Sequence, residues 1–267
     1  MLTMIRGGGD LASGIAIRLV RSGLRVVITE LPQPLVVRRL VSFAEAVHEG
    51  EWQVEDITGK LIQEPADADQ AHRAGMVPVL VDPDLSSLMV YQPKILIDAR
   101  MRKKPPEAGM DQADLVIGLG PGFTAGKDCH AVVETNRGHQ LGRVYWEGAA
   151  QEDTGIPGEV RGYRQERVLR APDSGVLKNF QEIGDLIDRG DRIAAVNDRV
   201  VTAPFAGVIR GLLRSGTNVK EGMKIGDLDP RSKPEYARIV SDKSRCLGGA
   251  VLEAILSRPE LRSSLWT

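Results

Sequence analysis

The second half of the chain repeats itself. Residues 171 to 193, "APDSGVLKNFQEIGDLIDRGDRI", align with residues 203 to 225, "APFAGVIRGLLRSGTNVKEGMKI", at a constant offset of 32. Ala171 and Ala203, Pro172 and Pro204, Gly175 and Gly207, Val176 and Val208, Gly184 and Gly216, Gly190 and Gly222, and Ile193 and Ile225 all coincide. Turn residues matched at one spacing mark a duplicated structural unit. Each copy is too short to bury its own apolar face, so the two must intertwine into one small β unit.

This pattern resembles the biotinyl/lipoyl domain, a barrel-sandwich hybrid of two quasi-equivalent halves. The resemblance implies a modified lysine in the hairpin between the halves, several residues before the second Ala-Pro. Here that hairpin reads "AAVNDRVVTAP", and its tip holds Val196, Asn197 and Asp198. Without lysine there, no covalent biotin or lipoate is expected, and the module is expected to be a docking or structural element. Lys220 and Lys224 lie in the second copy and read as solvated surface residues.

The first half has a different rhythm. Short β-rich runs ("TMIRG", "RVVIT", "VPVLVD", "KILIDA", "DLVIGLG") alternate with helical stretches, as in an α/β domain with a mainly parallel sheet. The spacing predicts a helix from Asp10 to Ser22 that stops at Gly23. "WQVEDITGKLIQE" predicts an inserted hairpin turning at Thr58 and Gly59, and the strands after Asp114 leave little room for helices, so the sheet is expected to finish antiparallel. Near the end, "SDKSRCLGGAVLEAIL" places Leu247, Val251 and Ile255 on one face with Ser241 as N-cap, and Gly248 and Gly249 suggest close packing. The expected organisation is a Rossmann-like α/β nucleotide-binding domain over 1–165, a barrel-sandwich hybrid over 166–230 and a C-terminal helical segment over 231–267.

Chemistry concentrates at "IRGGGDLASGIA", residues 5 to 16. Gly7, Gly9 and Ala12 fit G-x-G-x-x-A between a strand and a helix, and a second strand ends at Glu30, 21 residues beyond Gly9. Glycines permit close backbone approach, and a helix N-terminus offers N–H groups and partial positive charge to a pyrophosphate. Gly7, Gly8 and Gly9 are therefore expected to cradle a dinucleotide whose ribose Glu30 would accept, with Asp10 capping the helix or meeting a hydroxyl near the phosphate. A tight turn without ligand is the competing reading.

Three further groups sit near predicted strand ends. "GLGPGFTAGKD" places Gly120 and Gly122 as a second pocket wall or an ordinary loop; proline at 121 and Asp128 rule out a Walker A loop. "IDARMRKK" gathers Asp98, Arg100, Arg102 and Lys103, a basic rim suited to a polyanion or a solvated loop. In "DCHAVVETNRGH", Cys129 beside Lys127 is a candidate thiolate and His130 the candidate acid or base; either reads equally as a buried structural residue. On a strand His130 and Glu134 lie about 13 Å apart, so no local metal site is expected.

Lys plus Arg (35) nearly balance Asp plus Glu (36), which provides no field for nucleic acid or an anionic membrane, and 4% aromatic residues disfavour base-stacking platforms. No stretch approaches the roughly 18 apolar residues of a membrane span, nor is there an apolar leader at "MLTMIRGGGD". Two cysteines, Cys129 and Cys246, make no disulfide framework, and a cytoplasmic setting is expected.

"GGGDLASGIAIRL", "VVRRLVSFAEAV", "DARMRKK", "GLGPGFTAGKDCHAVVETNRGHQLGRVYWEG" and "SDKSRCLGGAVLEAIL" together resemble the YqeB family of selenium-dependent molybdenum hydroxylase accessory proteins. The resemblance implies a bacterial cytoplasmic protein that helps mature such hydroxylases. It implies as partners the hydroxylase or its maturation machinery, leaves a homo-oligomer open, and transfers no catalytic residue. Joined to the glycine motif, it suggests molybdopterin dinucleotide as cofactor: Gly7, Gly9 and Glu30 at the nucleotide, Arg100, Arg102 and Lys103 at the pterin phosphate, and Cys129 facing metal or chalcogen. The alternatives are an NAD(P)-dependent oxidoreductase using His130, and a ligand-free scaffold.

Overall fold

The computed structural model describes residues 1–101, 109–153, 155 and 157–264. The chain divides into two units, one made of Met1–Pro34, Ser42–Asp153 and Val240–Thr267, the other of Leu35–Val41 and Thr154–Ile239.

In the first unit, β1 (Leu2–Arg6) leads into α1 (Asp10–Arg21) and β2 (Arg25–Glu30). There follow α2 (Ala46–Glu49), β3 (Glu51–Val54), β4 (Ile57–Ile62), α3 (Ala68–Arg73), β5 (Val77–Val81), α4 (Leu88–Tyr91) and β6 (Ile95–Asp98). β7 (Leu115–Leu119), β8 (Thr124–Ala125), β9 (Ala131–Val133), β10 (Val144–Tyr145) and β11 (Gly148–Ala149) precede the terminal α5 (Asp242–Leu256) and α6 (Pro259–Ser263). Nine strands form one sheet in the order β10-β9-β7-β6-β1-β2-β5-β4-β3. Pairings from β4 to β9 are parallel, while β3–β4 and β9–β10 are antiparallel. The inner strands are apolar along nearly their whole length because both faces are covered. On one face Met4, Val27, Leu96, Val116 and Val132 pack with Leu85, Phe123, Ala125 and Cys129.

The Rossmann-like expectation is corrected here. The sheet is large and mixed, with a hairpin at each edge, and the links from β2 to β5 and from β7 to β9 contain strands, turns and helices of at most six residues where that architecture needs long helices. The β3–β4 hairpin turns at Glu55 and Asp56, with Glu55 at φ +54°, and not at Thr58 and Gly59. Gly59 instead lies within β4, where a Cβ would stand 2.7 Å from the Phe43 ring.

α1 stops as its sequence predicts, with Ser22 as C-cap and Gly23 at φ +85°. Ser241 caps α5 by accepting the Ser244 N–H at 3.2 Å. The terminal helix belongs to this unit, where it lies on α1 through a glycine contact: a Cβ at Gly14 would stand 2.3 Å from Ser244 Oγ, and one at Gly248 2.9 Å from Arg18 Cβ. Among the described residues, a Cβ at Gly249 would meet nothing within 4 Å.

The second unit contains β12 (Val168–Arg170), β13 (Gly175–Asn179), β14 (Leu186–Ile187), β15 (Arg192–Val196), β16 (Arg199–Thr202), β17 (Gly207–Leu212), β18 (Asn218–Val219) and β19 (Lys224–Asp229). β13, β14 and β15 recur at the 32-residue offset as β17, β18 and β19. Two four-stranded sheets result, β12-β19-β17-β14 and β16-β15-β13-β18, each mixing strands of both copies. The biotinyl/lipoyl-like barrel-sandwich expectation is corrected to this pair of antiparallel sheets, because strands outside the repeat (β12) and the segment Leu35–Val41 complete the unit. Val37 supplies a carbonyl to the Leu212 N–H at 2.8 Å, against Gly211, where a Cβ would be 2.8 Å from that oxygen. The hairpin tip at Asn197 (φ +53°) is pinned back by Asn197 Nδ2 donating to Asp173 and to the Ser174 carbonyl, both at 3.2 Å.

Candidate functional site

The glycine turn joins β1 to α1 at the carboxyl edge of the parallel strands, the side on which open α/β sheets bind ligands. Gly7, at φ +94°, donates its N–H to the Thr29 carbonyl at 2.8 Å. The Gly8 N–H donates to Glu30 Oε1 at 2.6 Å, and the Leu31 N–H to Oε2 at 2.8 Å. The Gly8 carbonyl accepts from Ser13 Oγ at 3.1 Å and from the Ala44 N–H at 3.0 Å. A Cβ at Gly8 would sit 3.0 Å from that nitrogen, so a side chain there would push the 43–44 backbone back by a few tenths of an ångström. Gly9 is the N-cap of α1 in extended conformation, and among the described residues a Cβ there would meet nothing within 4 Å. Among the described residues the turn is thus packed on its Gly8 side and open on its Gly9 side, where α1 begins without a side-chain cap and with Asp10 in its first turn.

Glu30 is 9% exposed, and burial pushes its carboxyl above the usual range, partly offset by the N–H groups of Gly8 and Leu31. It therefore holds the turn itself, each oxygen keeping lone-pair capacity for a further donor. Next along the sheet, Asp98 is 5% exposed and binds the Arg100 guanidinium, with Nε to Oδ1 at 3.0 Å and Nη2 to Oδ2 at 2.6 Å. Arg100 Cγ lies 3.3 Å from where a Gly7 Cβ would be, so Gly7 and the Asp98–Arg100 pair stand side by side at this edge. Arg102 and Lys103 lie outside the described residues.

Gly120 (φ +74°) and Gly122 (φ +96°) bend the loop after β7. A Cβ at Gly120 would stand 2.6 Å from Thr135 Oγ1 and 3.4 Å from Met101 Cε, which places this turn beside the end of β6. The rest of the loop folds onto itself: Phe123 seats against Gly118, and Asp128 accepts the Thr124 N–H at 2.9 Å. A small cleft is lined by Arg6, Leu96, Asp98, Gln112, Val116, Phe123 and Asp128. Arg6, buried to 8% exposure at the end of an apolar strand, was not singled out by its motif, although a charge closing such a run was the available signal.

Cys129 does not face this edge as a reactive thiol. It is fully buried in the apolar cluster with Met4, Leu96 and Phe123, and burial pushes its thiol up to about 11, so the expected thiolate is corrected to a small core residue. His130 Nδ1 accepts the Val116 N–H at 2.9 Å, and burial pushes the ring below its usual range. That bond commits one ring nitrogen to the end of β7 and gives His130 a structural tie rather than a poised base. Among the described residues no group of three or more His, Cys, Asp or Glu could hold a metal ion, and no helix is long and apolar enough to cross a membrane.

The chain is 47% identical over 255 residues to the uncharacterized protein YqeB of Escherichia coli strain K12, a match spanning 96% of this chain and 47% of that protein. The chain thus covers about half the length of that relative. No family model matches. Among solved structures, an aspartoacylase family protein of Mesorhizobium loti is 14% identical, with 85% of this chain and 84% of that one covered at a TM-score of 0.28. The ectoine utilization protein EutE of Ruegeria pomeroyi, with product bound, is 13% identical over the same shares, also at 0.28. At that similarity neither lends its chemistry to this chain.

Proposed function

Because its relative supports placing this chain in the YqeB family, we propose that it is a cytoplasmic accessory factor for the maturation of selenium-dependent molybdenum hydroxylases, holding a dinucleotide-type cofactor at the turn from β1 to α1. One observation carries the binding reading: the turn is closed at Gly8 and open at Gly9, directly before the N–H groups of α1. Among the described residues, a phosphate approaching from that side meets no Cβ and faces the positive end of a twelve-residue helix. The residues present fit such a group, since Gly7 and Gly9 let backbone approach closely and Glu30 fixes the Gly8 peptide while retaining lone pairs for a ribose hydroxyl. Arg100, oriented by Asp98, supplies a cation at the same edge. The dinucleotide, molybdopterin dinucleotide or NAD(P), would bring its own redox chemistry; this chain's residues bind and orient it.

The test is native mass spectrometry of the chain purified from a host making both molybdenum cofactor and selenophosphate, together with thermal shifts against added NAD+ and NADP+. A ligand at one hundred times its Kd should stabilise the protein by about 2.7 kcal/mol. Gly9→Glu, which fills the open side with bulk and negative charge, should abolish that shift and the bound mass. Retained binding by the variant would refute the site.

A further inference from the structure

The 32-residue repeat makes the two sheets of the second unit equivalents of each other, with β15-β13-β18 of one answering to β19-β17-β14 of the other. Their faces away from the core differ. In β17 and β19, Arg210 donates to Asp227 at 2.7 Å, and chain from outside the repeat lies over the pair: Arg167, ahead of β12, reaches Asp227 at 3.5 Å, and Arg231, after β19, donates to Asp229 at 2.8 Å. Val208 beside them is fully buried. The equivalent residues of β13, β15 and the turn that follows are Val176, Lys178, Ala195 and Asn197. Alanine thus stands where the second copy has Asp227; Lys178 is its register partner in β13, and Val176 is 54% exposed. Val200 of β16 continues the row at 40% exposure. Phe180 is also exposed and draws the two cations together, with Lys178 Nζ 5.8 Å and the Arg192 guanidinium 4.4 Å from its ring centre. Among the described residues, no carboxylate stands within ion-pair distance of Lys178 or Arg192. The first copy therefore presents apolar surface and two cations to solvent where the second copy buries both.

The complement of such a face is an exposed apolar side chain between carboxylates. The chain itself offers one. Leu186 of β14 is 62% exposed, and Glu182 and Asp188, both exposed, stand on either side of it in sequence. Glu182 meets Arg39 at 3.8 Å. We propose that this sheet face is an interface between two copies of the chain, in which Lys178, Arg192 and Phe180 of one copy receive Leu186, Glu182 and Asp188 of the other. In a two-fold pairing each copy gives both halves of the contact, so the same charges meet twice. The partner's carboxylates do for Lys178 what Asp227 does for Arg210 within the second copy of the repeat. This interface is independent of phosphate binding at Gly9 and is tested without a nucleotide.

The experiment is sedimentation velocity of the full chain across the micromolar range. The parent should pass from one chain mass to two as concentration rises, and should do so more weakly as salt screens the charges. Lys178→Glu with Arg192→Glu, and separately Glu182→Lys with Asp188→Lys, should each weaken self-association by about tenfold or more, since like charges then face each other. An equimolar mixture of the two variants should restore the paired species, because each then meets opposite charges at both contacts; recovery in the mixture also shows that both are folded. A parent that stays at one chain mass, self-association indifferent to the reversals, or a mixture no more associated than its components overturns the proposal.

Discussion

The contact between α1 and α5 makes opposite predictions for glycines that look alike in sequence. Gly14→Ala would place a Cβ 2.3 Å from Ser244 Oγ and 2.9 Å from both Ser244 Cβ and Val240 Cγ1. Rotating Ser244 away relieves the first contact but gives up its 2.6 Å bond to the Asp10 carbonyl, a loss of about 1 kcal/mol. The contacts with Ser244 Cβ and Val240 remain, and overpacking of this kind costs about 1–3 kcal/mol. Alanine returns about 1 kcal/mol of helix propensity. The net expectation is a loss of about 2 kcal/mol for Gly14→Ala. Gly248→Ala meets Arg18 Cβ at 2.9 Å and the Gly14 carbonyl at 3.0 Å, and should also destabilise. Gly249→Ala, one residue further, meets nothing among the described residues and should stabilise by up to about 1 kcal/mol. Urea denaturation followed by far-UV circular dichroism of the three variants reads these signs directly. Gly14→Ala as stable as the parent, or Gly249→Ala as damaging as Gly248→Ala, would refute the helix contact as described.

In the second unit, Asp227 (4% exposed) takes both Arg167, itself 5% exposed, and Arg210. Asp227→Ala leaves two cations without that partner and should cost about 3–5 kcal/mol in chemical denaturation; a loss below about 1 kcal/mol would show the network to be dispensable. With iodoacetamide at pH 8, the exposed Cys246 should be labelled in the native chain and Cys129 only after unfolding; comparable native rates would contradict the burial of Cys129. Glu30 has a folded-state pKa raised by burial, so its contribution to stability is full below the ordinary carboxylate range and is lost as pH climbs through the raised value. Comparing stability–pH profiles, Glu30→Gln should flatten the decline above that range, and an unchanged slope would place the titration elsewhere.

Much of the local structure was legible in the sequence because it rests on short-range physics. The start of α1 at Asp10, its end at Gly23, the Ser241 cap and the strand-by-strand recurrence at 32 residues all follow from backbone freedom, capping and the spacing of apolar residues, which act within a few residues of one another. That Asp98 and Arg100 would lie at the carboxyl edge of a strand was legible too, since parallel strands bring their carboxyl ends to one edge.

Tertiary structure alone decided the rest. Glu30 could be placed at the end of β2 from its spacing, but that its oxygens would be taken by the Gly8 and Leu31 N–H groups depends on how two strands and the 43–44 backbone pack around it. Cys129 lies beside a glycine loop in sequence, yet Phe123 folds onto Gly118 and encloses it, turning a candidate thiolate into core. The mixed nine-stranded sheet, the joining of α5 to α1 and the joining of Leu35–Val41 to the repeat unit all bring together segments remote in sequence. Local propensity and periodicity are blind to such pairings, because their free energy comes from surfaces that exist only once the chain has folded.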